Sequence, residues 1–540
     1  EVSSSATLQS RDYLEQYARS WGEPFRLMNL FSLDEPSGVE DLQTNANPAS
    51  YPELSDDGQL LAYISDSDST SIYDSRAHYS LRSGDSYAQS QAFPSPADFD
   101  GYGDSDVDIV GTQKYAVAAW VRMNTKIDEK DAGDDVSAAE QNLMMNGTEI
   151  VVSVYNGANW TSTRLTTNAT PDLAPVVATN GYGKAVVFWR SVYSADPENG
   201  LMDFSAQDQI MYSVLAGDEW SEPKVLYNGA NGSVKGLQAA MMRNSKAIAV
   251  YTLDRTGASD GSGQEIGYTV IDQSGNLGTS MLVTSDENLD ENPQVIAASL
   301  HTIYGDIMGA DRFILGWHSQ ENGSSDIRLL SVDSSGAMSN TFPASLSALT
   351  SSGQANVSGD FRFAGIWDSS ATGTGFIKDL TILWSETVSD ETTDGLMTAA
   401  HSQLKAARLL AKDTNGDNRV DSFRLSAPQE LATLPSNNLA DHFSAYVSGG
   451  SEVHAVIQAT SYDNENPQTI DGVVVPSEQT MLYTASRTFA PYALEVENIA
   501  VDYENLMADS LTPLQFTVRN TGLNDLENLT VSLSKDESTT

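Results

Sequence analysis

At 540 residues, 40% of them hydrophobic, the chain is long enough for one large repeat architecture with a smaller module beside it. Its 74 acidic and 29 basic residues give a formal charge of −45, a field that repels nucleic acid and anionic membranes and attracts cations. Cysteine is absent, which removes disulfide scaffolds, thiol catalysis and cysteine-ligated metals together, and no apolar run approaches the roughly 20 residues of a membrane span.

The chain starts at Glu1 rather than Met and ends at Thr540 within a strand pattern, so it reads as part of a longer polypeptide. Within segment 1–44, Thr7–Arg19 reads equally as an amphipathic helix or as extended chain. The following SWGEPFRLMN (Ser20–Asn29) matches EWSEPKVLYN (Glu219–Asn228) and is expected to be an outer strand.

Residues 45–492 repeat. A short apolar strand ends on an aromatic at Tyr63, Trp120, Trp189, Tyr251, Trp317 and Trp384, with a weaker copy at Gln458, at intervals of 57 to 74 residues. Each copy is followed by an alternating strand that runs into a Gly/Asn/Asp turn, and then by a fourth strand, clearest in NWTSTRLTTN (Asn159–Asn168). Four antiparallel strands repeated about seven times predict an all-β chain, a seven-bladed β-propeller of four-stranded blades. The seventh unit lacks a clear fourth strand after QTMLYTASRTF, so the N-terminal strand near 20–29 is expected to complete it and close the ring, removing an exposed edge.

One motif carries specific chemistry. Asp413, Asn415, Asp417 and Asp421, with the Arg419 carbonyl between the last two, follow the D-x-N-x-D-x-x-x-D spacing of an oxygen cage for calcium. The loop falls at the expected turn between third and fourth strands of the sixth unit. DFDGYGDSDVD (Asp98–Asp108) is a looser carboxylate cluster, either a cation loop or a solvated turn before a strand.

The long loops expected on one face of the ring carry 24 Asp/Glu against five Lys/Arg. The largest of them, with Asp128, Glu129, Asp131, Asp134 and Asp135, is the leading candidate for a partner contact. Trp120, Trp189, Trp317 and Trp384 sit at equivalent strand ends and are assigned to packing between blades. Trp367 is off the pattern and is the candidate binding platform. The six histidines show no ligand spacing, and neither a phosphate loop nor a nucleophile elbow is present.

The blade period and the Trp-Ser-Glu-Pro outer strand resemble the seven-bladed propellers of secreted bacterial surface and cell-adhesion proteins. The Asp413–Asp421 loop is similar to the calcium loops of dockerins and integrin-type propellers, although Arg424 stands where an EF-hand has Glu. In 493–540, FTVRNTGLNDLENLTVSL (Phe516–Leu533) resembles the start of an immunoglobulin-like module of the bacterial cell-adhesion-related type, a partial β-sandwich. The resemblance implies a secreted or cell-surface, non-catalytic, calcium-binding region that binds an extracellular protein or glycan, or spaces other domains. The alternative is a propeller glycosidase of sialidase type. The Ser-x-Asp-x-Gly-x-x-Trp turns of sialidases are missing. A glycosidase requires a central pocket with two facing carboxylates and, for a sialidase, an arginine.

Overall fold

The computed structural model describes residues 40–41, 49–65, 75–84, 86–88, 90–126, 143, 145–193, 207–229, 232–256, 263–299, 311–321, 324–339, 357–367, 377–389, 400–412, 422–426, 428–448, 452–470, 473–489, 494–501 and 514–520. The chain is all-β, built from sheets of four antiparallel strands. No helix among the described residues is long and apolar enough to cross a membrane.

Sorted by antiparallel pairing, the strands described between residues 40 and 489 fall into seven sets, numbered here as sheets 1 to 7. Their first strands are Ala49–Leu54, Asp104–Thr112, Asp172–Thr179, Ser233–Met241, Leu289–Ser299, Val357–Trp367 and Asn438–Ser448. Two single parallel bridges, Gln264 with Leu289 and Ile366 with Val447, stitch sheet 4 to 5 and sheet 6 to 7. The outermost strand of sheet 7 comes from the N-terminal segment: Glu40 and Asp41 pair with Thr484 and Tyr483. The segment 20–29, expected in that role, lies outside the described residues, as does Thr7–Arg19. Leu494–Val501 pairs with Leu514–Asn520 in a separate two-stranded sheet.

The second strands explain the packing. In Tyr115–Met123, alternate residues point to opposite faces, and both faces are buried. Ala116, Ala118 and Trp120 join a core shared with sheet 1, while Val117, Ala119 and Val121 join one shared with sheet 3. The same division holds throughout: separate cores fill the junctions of sheets 3 with 4, 4 with 5, 5 with 6 and 6 with 7. A last core returns from Tyr446, Val456 and Leu482 of sheet 7 to Leu54, Leu61 and Tyr63 of sheet 1. The order is therefore cyclic. All six strand-end aromatics face the core shared with the preceding sheet, so the packing role assigned to the tryptophans holds.

A β-bulge interrupts the pairing of every first strand with its neighbour. In four sheets a non-glycine residue sits there in the left-handed region: Tyr51, Asp106, Ala174 and Asn292, with φ of 53°, 50°, 47° and 49°. The long acidic loops expected on one face of the ring include Ala459–Glu478, and this one is corrected. Ala459–Glu478 is not an open loop, because Glu452–Ile470 and Val473–Thr488 continue as a long hairpin that pairs out to Ile470 and Val473.

Candidate functional site

Residues from the first strands of all seven sheets line one central cavity of about 150 Å³. They fall in the later part of those strands: Leu54 ends its strand, Val110 stands two residues before the end of its own, and Tyr446 two before the end of another. The cavity therefore lies toward the first hairpins, away from the long-loop end. Glu53, Asp108 and Gln294 each stand two residues beyond a left-handed bulge residue, in equivalent positions of sheets 1, 2 and 5.

A polar chain crosses this lining. Arg362 Nη2 donates to His442 Nδ1 at 3.0 Å, which leaves His442 Nε2 to donate to Glu53 Oε1 at 2.9 Å. Arg362 Nε also donates to the Phe443 carbonyl at 3.1 Å, and the Leu54 amide donates to Ser444 Oγ at 3.0 Å. Burial pushes the Glu53 carboxyl up, but His442, Arg362 and the Ser444 hydroxyl outweigh it and hold Glu53 below the usual range. Asp108 goes the other way. Burial and then the neighbouring Glu53 charge push it up to about 7, against hydrogen bonds that include the Val177 amide at 2.7 Å. At neutral pH one cavity thus holds an ionised carboxylate and another near half protonation.

Asp56 lines the cavity, and its side chain is exposed although protein packs closely around it. Burial and the Asp57 charge push it up to about 7, and it accepts the Gly111 amide at 3.1 Å. Burial also raises Asp106, which accepts the Ala174 amide.

The expected site residues are placed as follows. Asp413, Asn415, Asp417, Arg419 and Asp421 lie outside the described residues. The flanking strands pair from Lys412 with Ser422 to Leu409 with Leu425, so the segment joins third and fourth strands of sheet 6. Asp128, Glu129, Asp131, Asp134 and Asp135 also lie outside them. Trp367 closes the first strand of sheet 6, opposite Ile377; its side chain is not among those described. The Asp98–Asp108 cluster is split. Asp104 is buried in a two-pronged pair with Arg122, at 2.6 Å to Nε and 2.8 Å to Nη2, while Asp108 faces the cavity.

The sequence reading missed the aspartates at the heads of the first strands. Trp189 Nε1 donates to buried Asp172 at 3.0 Å, and Trp317 Nε1 to buried Asp290 at 3.1 Å. In sheet 2 the equivalent Asp104 is taken by Arg122, and Trp120 Nε1 has no partner. The signal was present: Asp104, Asp172 and Asp290 pair with Arg122, Ser191 and Ser319, each two residues beyond the strand-end tryptophan. Near Asp290, carboxylate oxygens of Glu265, Asp286 and Asp290 lie within 4.8 Å of one another.

No family model and no curated protein matches the chain. Solved structures do match, at low similarity. A Trypanosoma rangeli sialidase aligns at 9% identity and a TM-score of 0.34 over 75% of this chain and 57% of its own. A Dyadobacter fermentans protein of unknown function gives 9% and 0.40, covering 84% and 99%. An α-L-arabinofuranosidase from Fusarium graminearum gives 12% and 0.35, covering 68% and 97%. The chain spans little more than half the length of the sialidase structures it matches.

Proposed function

We propose that the chain is a β-propeller of seven four-stranded blades that binds a small polar ligand, a sugar group of a glycan, in its central cavity. In this reading it is the non-catalytic recognition region of a larger secreted or cell-surface bacterial protein. The observation that carries the proposal is the convergence of Glu53, Asp108, Gln294 and Arg362, from four different sheets, on one cavity, with His442 linking Arg362 to Glu53. Sugar hydroxyls both donate and accept, and a lining of carboxylates beside a guanidinium fork offers them both partners. The −45 charge disfavours nucleic acid as the ligand.

The test is calorimetric titration of the full chain with a panel of neutral and charged monosaccharides, backed by glycan and matrix-protein arrays. A sugar bound by the wild type and lost in Glu53→Gln is expected. Silence across all panels would leave only a spacer role and remove the proposal.

One observation favours a second reading. An ionised Glu53 and a half-protonated Asp108 in one cavity are the split pair that glycoside hydrolysis uses, Asp108 as acid and Glu53 as base or nucleophile. Binding ranks first because His442 and Ser444 already hold Glu53, which weakens it as a base. Aryl glycosides decide between the two. Hydrolysis predicts turnover that fades as pH rises through about 7 and is lost in Asp108→Asn, and absence of turnover rejects it.

A further inference from the structure

We propose that Glu265, Asp286 and Asp290 form a binding site for a hard divalent cation of calcium size at the junction of sheets 4 and 5. Glu265 is the second residue of Gln264–Ile271 and Asp290 the second of Leu289–Ser299. The parallel bridge from Gln264 to Leu289 sets these two strands side by side, and Asp286 sits in the connection just before the second. One carboxylate oxygen from each comes within 4.8 Å of the others. Oxygens about 2.4 Å from a calcium ion stand up to about 4.8 Å apart across its shell, so the cluster fits one ion.

The second observation is unmet hydrogen-bonding capacity. Glu265 is 2% and Asp290 0% exposed, and Glu265 Oε2 and Asp290 Oδ2 have no hydrogen-bond partner. The other oxygen of Asp290 accepts from Trp317 Nε1. The Thr284 and Ser319 hydroxyls stand near Asp290, yet neither closes a hydrogen bond on Oδ2. Asp286 is exposed and gives an ion its way in, and its Oδ1 is oriented by the Asn288 amide at 3.0 Å.

Equivalent positions elsewhere in the ring show what is different here. Glu149 and Glu265 each precede by two residues the strand partner of the aromatic, Val151 opposite Trp120 and Gly267 opposite Tyr251. Glu149 is neutralised by Arg164 at 2.8 Å and held by Asn124 at 3.0 Å. Asp104, the counterpart of Asp290, is neutralised by Arg122. Where sheet 2 supplies two arginines, the junction of sheets 4 and 5 supplies a third carboxylate. The guanidinium that acts on Asp290 is that of Arg328. Three negative charges against this one positive leave two, the charge of a divalent ion. Buried carboxylates without such a counter-charge are strongly disfavoured.

The test uses the full chain stripped with a chelator, melted alone, with calcium and with magnesium at equal concentration. Calcium should raise the melting temperature of the wild type by a few degrees once well above its Kd, and magnesium should not. The increment should vanish in Asp286→Asn, whose exposed position spares the fold, and persist in Asp417→Asn, which alters the other acidic loop. Without metal, Asp286→Asn should melt no lower than the wild type, because a mutual repulsion is gone. Terbium emission sensitised by Trp317 should appear in the wild type and disappear in Asp286→Asn. An unresponsive wild type, a calcium increment surviving in Asp286→Asn or lost in Asp417→Asn, or an equal response to magnesium would each overturn the proposal.

Discussion

Asp108→Asn isolates the electrostatic cost of the cavity. The carboxyl moves from 3.8 in an unfolded chain to about 7 in the fold, a difference of about three pH units. At about 1.36 kcal/mol per unit, ionising Asp108 costs the folded state at most about 4 kcal/mol. Solvent in the cavity reduces this, and we expect about 1–3 kcal/mol. The sign follows from proton counts. Between pH 4 and 7 the folded chain holds the Asp108 proton more tightly than the unfolded chain. Its contribution to stability is therefore intact below about pH 4 and is lost as pH rises through about 7. Asparagine keeps an acceptor for the Val177 amide and cannot ionise. Denaturant unfolding should find the variant about as stable as the wild type near pH 4 and more stable at pH 8, by the amount given above. A difference between the two proteins that does not change with pH would refute this account.

Three further outcomes follow from the same geometry. Glu53→Gln removes the charge that helps raise Asp108, so the Asp108 carboxyl, followed by carbon NMR, should titrate at lower pH, with a stability loss of about 1–2 kcal/mol from the weakened His442 hydrogen bond and the lost attraction to Arg362. Arg122→Met strands buried Asp104 and should cost about 3–5 kcal/mol in urea unfolding, and adding Asp104→Asn should restore much of it. Ala174→Gly should be neutral or stabilising by up to about 1 kcal/mol, because Ala174 is left-handed, whereas Ala118→Gly in the buried second strand of sheet 2 should destabilise; a loss at Ala174 would contradict the strain reading.

The strands and their repeat were legible because the second strands announce themselves: an apolar run ending on an aromatic needs no long-range information. The inter-sheet role of Trp189 and Trp317 followed from their equivalence. The cavity was not legible, because its members are assembled across the ring. Glu53 and His442 lie 389 positions apart, and in ASYPEL the glutamate reads as one more polar residue. His442 was passed over for want of ligand spacing, yet it answers to a partner no local spacing can reveal. The triad of Glu265, Asp286 and Asp290 likewise comes from two sheets and the connection between them, whereas the one acidic loop with a compact spacing is Asp413–Asp421. The bulges were invisible for another reason: Tyr51, Asp106, Ala174 and Asn292 share a backbone conformation and no residue type.

Those bulges separate two jobs that a strand ordinarily combines. Other residues of the first strands join the shared cores, as does Val176 two positions past the kink of sheet 3, whereas in sheets 1, 2 and 5 the residue two positions past the kink lines the cavity. Glutamate, aspartate and glutamine occupy that position in sheets 1, 2 and 5 without any change in the strand around them. The inner wall is thus a set of exchangeable letters on a constant frame, and ligand preference can be rewritten one letter at a time while the frame stays as it is.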